Sequence, residues 1–191
     1  MSCNAIRKLT PSDVASLFDD ERLILMGHTN IEAIRFLTSH IQQIENTVLA
    51  EARLRPEYQK LLTVPGIGRI LALTIMLQTG DIGRFATVGK YSSYCRMVKT
   101  SRTSNDKKKG ENNRKNGNRY LCWAYIEAAN FIRRYNAAAK AWHQRKLKRS
   151  KQVVATKALA SKICKACYFI MRDQVDFDEK LMCYRQGFDL R

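Results

Sequence analysis

Three features of this 191-residue sequence predict an all-α protein. Apolar residues recur at helical spacing from the thirties to about residue 172, helix-start signatures precede several of these runs, and no strand-like alternation competes with them. The expected architecture is a helical linker with a short coiled coil over 1–60, a helical domain containing a helix-hairpin-helix and a long basic loop over 61–175, and a C-terminal tail over 176–191.

Thr10-Pro-Ser-Asp13 starts a short first helix running to about Leu17, with Thr as N-cap, Pro at the first helical position and Asp three residues after the cap. Thr29-Asn-Ile-Glu32 repeats the pattern and is expected to start the next helix. Behind it Ile34, Leu37, Ile41, Ile44 and Val48 alternate in steps of three and four. This heptad seam reads either as a two-heptad coiled coil joining copies of the chain through 31–52, or as one amphipathic helix packed on its own domain. Pro56 breaks that helix.

Residues 61–77, LLTVPGIGRILALTIML, are two apolar helical pieces folded about Pro65-Gly66-Ile67-Gly68. Proline pre-sets one backbone angle, and glycines permit positive φ and a close approach of neighbouring groups. In a helix-hairpin-helix such a turn, with Arg69 opening the second helix, offers bare N–H groups and a positive dipole to a phosphate. A plain turn between core helices is the alternative. After Gly80-Asp81-Ile82-Gly83 a helix is expected from about Thr87 to Met97. The helical period then returns at Asn118, with Leu121, Ala124, Tyr125, Ala128, Phe131, Ile132 and Tyr135 on one face. Two further helices are expected at about 137–149 and 152–172.

An apolar fraction of 45% is ordinary, whereas 34 basic against 17 acidic residues leave a net charge of +17. The cations thicken over 96–119 and again over 133–157, which favours a nucleic-acid surface over a uniformly basic shell. The start, MSCNAIRKLTPSDV, has no apolar signal core, and no stretch approaches the roughly 20 apolar residues of a membrane helix. With six scattered cysteines, this is the expected look of a chain from reducing cytoplasm. Cys164 and Cys167 have zinc-like spacing, but no second Cys or His pair lies near in sequence and both sit in a run of helical period, so they are expected in the core.

Between positions 98 and 119 the chain carries Lys99, Arg102, Lys107, Lys108, Lys109, Arg114, Lys115 and Arg119 against Asp106 and Glu111. Such a loop would bind phosphates in a salt-sensitive, sequence-independent way. Ser101 and Ser104 lie in its middle. Surrounding cations would hold a phosphodiester and stabilise the charge of its transition state, although a serine in a basic loop is an ordinary loop residue unless something takes its proton.

The PGIG turn with its flanking helices, GDIGRF at 80–85, YSSYCR at 91–96, SNDKKKGENNRKNGNRYL at 104–121 and the following WAYIEAANF together resemble the C-terminal transposase domain of the insertion-sequence transposases of the IS-one-ten family, in particular its IS-eleven-eleven branch. The similarity runs over roughly 61–172. It implies DNA transposition by serine attack on a DNA phosphodiester, an N-terminal acidic RNase H-like domain joined through a coiled-coil linker, and a non-coding guide RNA as a partner beside DNA. Carried over by motif, the nucleophile is Ser104, just ahead of the Gly/Lys-rich stretch, with Ser101 the runner-up. Arg102, Lys107, Lys108, Lys109 and Arg114 would stabilise charge. Pro65, Gly66, Gly68, Arg69, Lys115, Asn118 and Arg119 would complete the DNA-binding surface. Two positions depart from the pattern: Asp106 and Asn112 stand where glycines are expected. On this reading the chain is a C-terminal fragment or split product without the acidic domain, found in the bacterial cytoplasm on the chromosome. Asp81, Glu111 and Glu127 are isolated, so no cofactor is assigned within the chain and Mg2+ is expected only on the acidic domain. The rival reading is a non-catalytic nucleic-acid-binding remnant or accessory protein that uses the same loop and hairpin.

Overall fold

The computed structural model describes residues 3–98, 102–104, 107–110 and 116–179; for Cys3, 102–104 and 107–110 it describes the backbone alone. The fold is all-α, with one small two-stranded ribbon set into it. Its helices are α1 (Cys3–Ile6), α2 (Pro11–Ala15), α3 (Glu21–Ala52), α4 (Pro56–Leu62), α5 (Arg69–Thr79), a 3-10 turn (Ile82–Arg84), α6 (Val88–Tyr94), α7 (Arg119–Tyr135), α8 (Ala137–Leu147) and α9 (Gln152–Asp173). Between α6 and α7 lie β1 (Arg102–Ser104) and β2 (Lys107–Gly110), paired antiparallel. Sequence gave no sign of these strands, because they are built from Lys, Arg, Thr and Ser rather than from alternating apolar residues. Among the described residues no helix is long and apolar enough to cross a membrane.

The chain divides into two compact units after Glu51. Residues 56–60, grouped with the linker by the sequence boundary at 60, therefore fall in the second unit as the first turns of α4.

In the first unit the Thr10 capping box forms as expected. Its hydroxyl accepts from the Asp13 N–H at 3.2 Å, and the Asp13 carboxylate accepts from the Thr10 N–H at 2.7 Å. The Asp13 carboxyl is held below its usual range by the hydrogen bonds from the Thr10 hydroxyl and N–H. Arg35 Nη2 donates to Leu9 O at 2.7 Å, and His28 Nε2 lies 2.8 Å from Pro11 O, so α2 and its flanks are tied to α3. A Cβ at Gly27 would lie 2.6 Å from Val14 Cγ1, so glycine lets the buried Val14 approach the α3 backbone.

The long helix does not start at Thr29. Asp20 opens it: its carboxylate accepts from Arg22 N–H at 2.8 Å and its carbonyl from Ile24 N–H at 3.0 Å. Thr29 sits in mid-helix with its hydroxyl donating to Leu25 O at 3.0 Å, the alternative partner a helical Thr always has. At 32 residues α3 is about 48 Å long. Along it Leu37, Ile41 and Ile44 are each more than half exposed.

The second unit is built around α7 and α9, with α8 against both, α4 and α6 against α9, and α5 against α7 and α4. Small side chains make the central contact close. Ala124, Ala128 and Ala129 of α7 and Ala155, Ala160, Cys164 and Cys167 of α9 are fully buried. Burial raises both thiols well above the usual cysteine range, so the Cys-x-x-Cys pair is core, inert at neutral pH. Phe131 and Tyr135 of α7, grouped by sequence with the apolar face, are exposed instead at 36% and 70%. A buried polar chain crosses three helices: Thr79 Oγ1 lies 2.9 Å from Tyr91 Oη, which lies 2.6 Å from Tyr125 Oη. Desolvation pushes both phenols well above the usual tyrosine range. Asn136 ends α7 and starts α8, accepting from Ala139 N–H at 2.7 Å.

Candidate nucleic-acid interface

The turn between α4 and α5 follows from its residues. Ile67 N–H donates to Val64 O at 3.0 Å, Pro65 occupies the second position and Gly66 the third with φ +90°. This is a type II turn, which asks for proline and glycine at those places. Gly66 is also a contact point: a Cβ there would lie 2.5 Å from Ile132 N and 2.9 Å from Ile132 Cα. The turn thus rests on the α7 backbone. Gly68 differs. Its φ is −88°, nothing lies within 4 Å of a Cβ built on it, and it caps α5 without a side-chain bond. Beside it Arg69 is exposed, so the first turn of α5 presents N–H groups and a cation outward.

The basic segment leaves from the C-terminus of α6. There Arg96 N–H donates to Ser93 O at 3.0 Å and Met97 N–H to Ser92 O at 2.8 Å, with Arg96 at φ 58°. This is the Schellman ending of a helix, with arginine where glycine is usual. The segment returns to the same place. Arg96 Nε donates to Gly117 O at 2.9 Å and Asn118 N–H to Tyr94 O at 2.7 Å. Gly117 has φ +98°, and a Cβ on it would lie 2.5 Å from Tyr94 O. Asn118 is fully occupied in this clamp. Its Oδ1 accepts from Tyr120 and Leu121 N–H at 2.8 and 3.0 Å, capping α7, while Nδ2 donates to Gln78 Oε1 at 2.7 Å and, more weakly, to Tyr94 Oη at 3.4 Å. Hydrogen bonds from Asn118 and Arg84 hold the Tyr94 phenol below its usual range. Arg84 itself stacks on Phe85 and Tyr94, 4.6 and 4.8 Å from the ring centroids.

Within the segment the paired backbones align Ser104 with Lys107, Thr103 with Lys108 and Arg102 with Gly110, the register shifting between Arg102 and Thr103. One extra residue, Lys109, therefore stands in β2 as a bulge. Asn105 and Asp106 separate the strands in sequence. Lys99, Ser101, Asp106, Glu111, Asn112, Arg114 and Lys115 lie outside the described residues. Arg119 is exposed at the start of α7, 4.8 Å over the Tyr120 ring and donating to its hydroxyl at 2.7 Å. Among the described residues no group of three or more His, Cys, Asp or Glu could hold a metal ion.

Sequence alone missed Arg96, Gly117, Tyr94 and Gln78, the groups that close the base of the segment. Gly117 carried a signal, a glycine just before an N-cap asparagine. Arg96 carried none, because an arginine in the left-handed region is not written in residue type.

Residues 58–144 match the Transposase IS116/IS110/IS902 family. The chain is also 26% identical over 160 residues to a probable family 20 transposase of Pseudomonas aeruginosa, an alignment covering 82% of this chain and 45% of that protein. It thus spans about half the length of that relative. The matched stretch takes in α4 through most of α8, with the PGIG turn and the clamped basic segment inside it, and over these residues the chain is similar to the transposase IS116/IS110/IS902 family.

Proposed function

We propose that the chain is the DNA-contacting and strand-exchanging part of a transposase, with Ser104 as nucleophile. The observation that carries this is the clamp: a segment rich in Lys and Arg begins and ends on one helix terminus inside the family-matched region, and Ser104 pairs across its ribbon with Lys107. In the reaction Ser104 Oγ attacks a DNA phosphorus and forms a phosphoserine bond. The P–O bond to one deoxyribose breaks, and that sugar oxygen leaves as a hydroxyl after taking a proton. The serine proton passes to a carboxylate on an acidic domain of the kind that the family resemblance implies. Arg102, Lys107, Lys108, Lys109 and Arg114 offset the added charge of the transition state. The turn at Gly68 and Arg69 grips the DNA backbone in the manner of a helix-hairpin-helix, using N–H groups and dipole. Attack by a second strand reverses the bond. Because a phosphodiester replaces a phosphodiester, no external energy is needed.

Two partners belong to the same reading. A second copy joins through 31–52, supported by the exposed Leu37, Ile41 and Ile44; a guide RNA follows from the family resemblance. The rival, a binding protein without chemistry, is favoured by Asp106, whose carboxylate two residues from Ser104 would repel a phosphate.

The test is a covalent adduct. The chain is combined with the acidic domain of a related full-length transposase and DNA carrying a nicked junction, then resolved under denaturing conditions. Wild type is expected to give a protein–DNA band, Ser101→Ala to keep it, and Ser104→Ala to lose it while salt-sensitive binding stays within a few-fold. Loss with Ser101→Ala instead moves the nucleophile three residues. An adduct that survives both changes refutes serine attack from this segment.

A further inference from the structure

α7 shows two different sides. Leu121, Ala124, Tyr125, Ala128 and Ile132 are fully buried. On the opposite side, at 100° per residue, Arg119, Tyr120, Trp123, Glu127, Phe131 and Arg134 fall on one arc. Three of these are large rings left in solvent: Tyr120 and Trp123 are each 49% exposed and Phe131 36%. Aromatic side chains are too costly to leave exposed in a row without a use. The cations at the two ends are arranged on the rings. Arg119 lies 4.8 Å over Tyr120, and Arg134 lies 5.3 Å over Phe131. Among the described residues no carboxylate lies within 4 Å of either guanidinium.

We infer that this stripe is a stacking platform for an unpaired nucleic-acid strand, whose bases lie on Tyr120, Trp123 and Phe131 and whose phosphates meet Arg119 and Arg134. Charge complementarity selects the occupant: rings flanked by guanidinium groups suit bases joined by phosphates. Position supports it as well. The stripe begins at Arg119, the residue after the Asn118 clamp, and so adjoins the base of the basic segment. Tyr120 to Phe131 spans about 16 Å along the helix, room for roughly three or four nucleotides. Glu127, half-buried in the middle of the arc, disfavours a phosphate there and leaves that place to a base edge. This goes beyond the proposed strand exchange, and neither depends on the other.

Trp123 reports on the site directly. The chain has two tryptophans. In the full chain carrying Trp142→Phe, titration with a twelve-residue oligo(dT) is expected to quench Trp123 emission strongly, and a duplex of equal length to quench it little. Replacing Tyr120 and Phe131 together by Ala is expected to weaken oligo(dT) binding about tenfold or more, from the loss of two stacked bases. Duplex affinity stays within about twofold, and the salt slope for oligo(dT) is unchanged because no phosphate contact has gone. Trp123→Phe keeps oligo(dT) affinity and Trp123→Ala loses it. All three sites are on the surface, so unchanged circular dichroism is expected for each variant. Equal quenching by single strand and duplex, or equal loss of both affinities, overturns the platform. So does a variant that keeps oligo(dT) affinity but changes the mass of the chain in sedimentation, which makes the stripe a protein contact. Ser104→Ala leaves the quench intact, which separates failure of the catalytic reading from failure of this one.

Discussion

Gly66 and Gly68 are two residues apart in one turn, yet the structure asks opposite things of them. At Gly66 even the smallest side chain meets backbone rather than a movable side chain: Ile132 N at 2.5 Å, Ile132 Cα at 2.9 Å and Phe131 C at 3.0 Å. The φ of +90° adds a second obstacle. Left-handed backbone costs an L-residue about 1–2 kcal/mol, and overpacking against fixed atoms about 1–3 kcal/mol. Gly66→Ala is therefore expected to destabilise the second unit by about 2–5 kcal/mol, a large share of the 5–15 kcal/mol typical of a whole domain. Gly68→Ala has open space and an ordinary φ; only the weaker capping of α5 is lost, about 1 kcal/mol or less. Both tryptophans lie in the second unit, so urea unfolding followed by their fluorescence isolates that unit. The expected midpoint falls sharply for Gly66→Ala and little for Gly68→Ala. A Gly66→Ala midpoint within about 1 kcal/mol of wild type refutes the contact with α7. Gly68→Val then separates fold from binding: its folded protein should hold duplex DNA more weakly, since a branched side chain crowds the bare N–H groups of α5.

Two other outcomes follow from contacts already described. His143 is 2% exposed, with Nε2 at 3.2 Å from Thr156 Oγ1 and accepting from Arg133 Nη1 at 3.4 Å, which leaves its proton on Nδ1. Burial and then the Arg133 charge hold its pKa below the usual value, so below about pH 6.5 the unfolded chain binds a proton the folded chain resists. Stability should therefore fall as pH drops from 7 to 5. Urea midpoints of wild type and His143→Gln at both pH values check this, the variant losing less on acidification. On α3, Ile41→Lys should leave circular dichroism unchanged and lower the mass found by sedimentation at several concentrations; a wild-type monomer at every concentration removes the α3 interface.

Much of the fold was written in local signals. Thr10, Pro56, Thr87 and Asn118 each mark a helix boundary where their chemistry says one should be, because capping is decided within three or four residues. Signals of the same kind also misled. Thr29-Asn-Ile-Glu32 has the form of a capping box, but Asp20 caps upstream and the helix runs through it. What sequence could not carry were distinctions set by distant backbone. The two glycines of PGIG are alike until α7 is placed against one of them. Phe131 and Tyr135 fit the apolar period, yet Phe131 lies beside the buried arc and Tyr135 is the last residue of α7, so both stay exposed. The basic segment stood out by charge, while its ribbon is set by backbone pairing and its clamp by an arginine in a conformation that residue type does not announce.

That clamp has a bearing on how such a segment can change. Because Arg96, Tyr94, Gly117 and Asn118 fix both ends at one helix terminus, the nineteen positions 98–116 are a branch in sequence that is closed at a single place. Loop-closure entropy rises only slowly with length, a doubling costing about 0.6 kcal/mol. Insertions and deletions inside the branch should therefore leave the helical packing, and its melting behaviour, almost untouched. Substitution of a single residue at its base should disturb both. The parts proposed to touch DNA are in this sense free to vary in size, while the four residues that hold them are not.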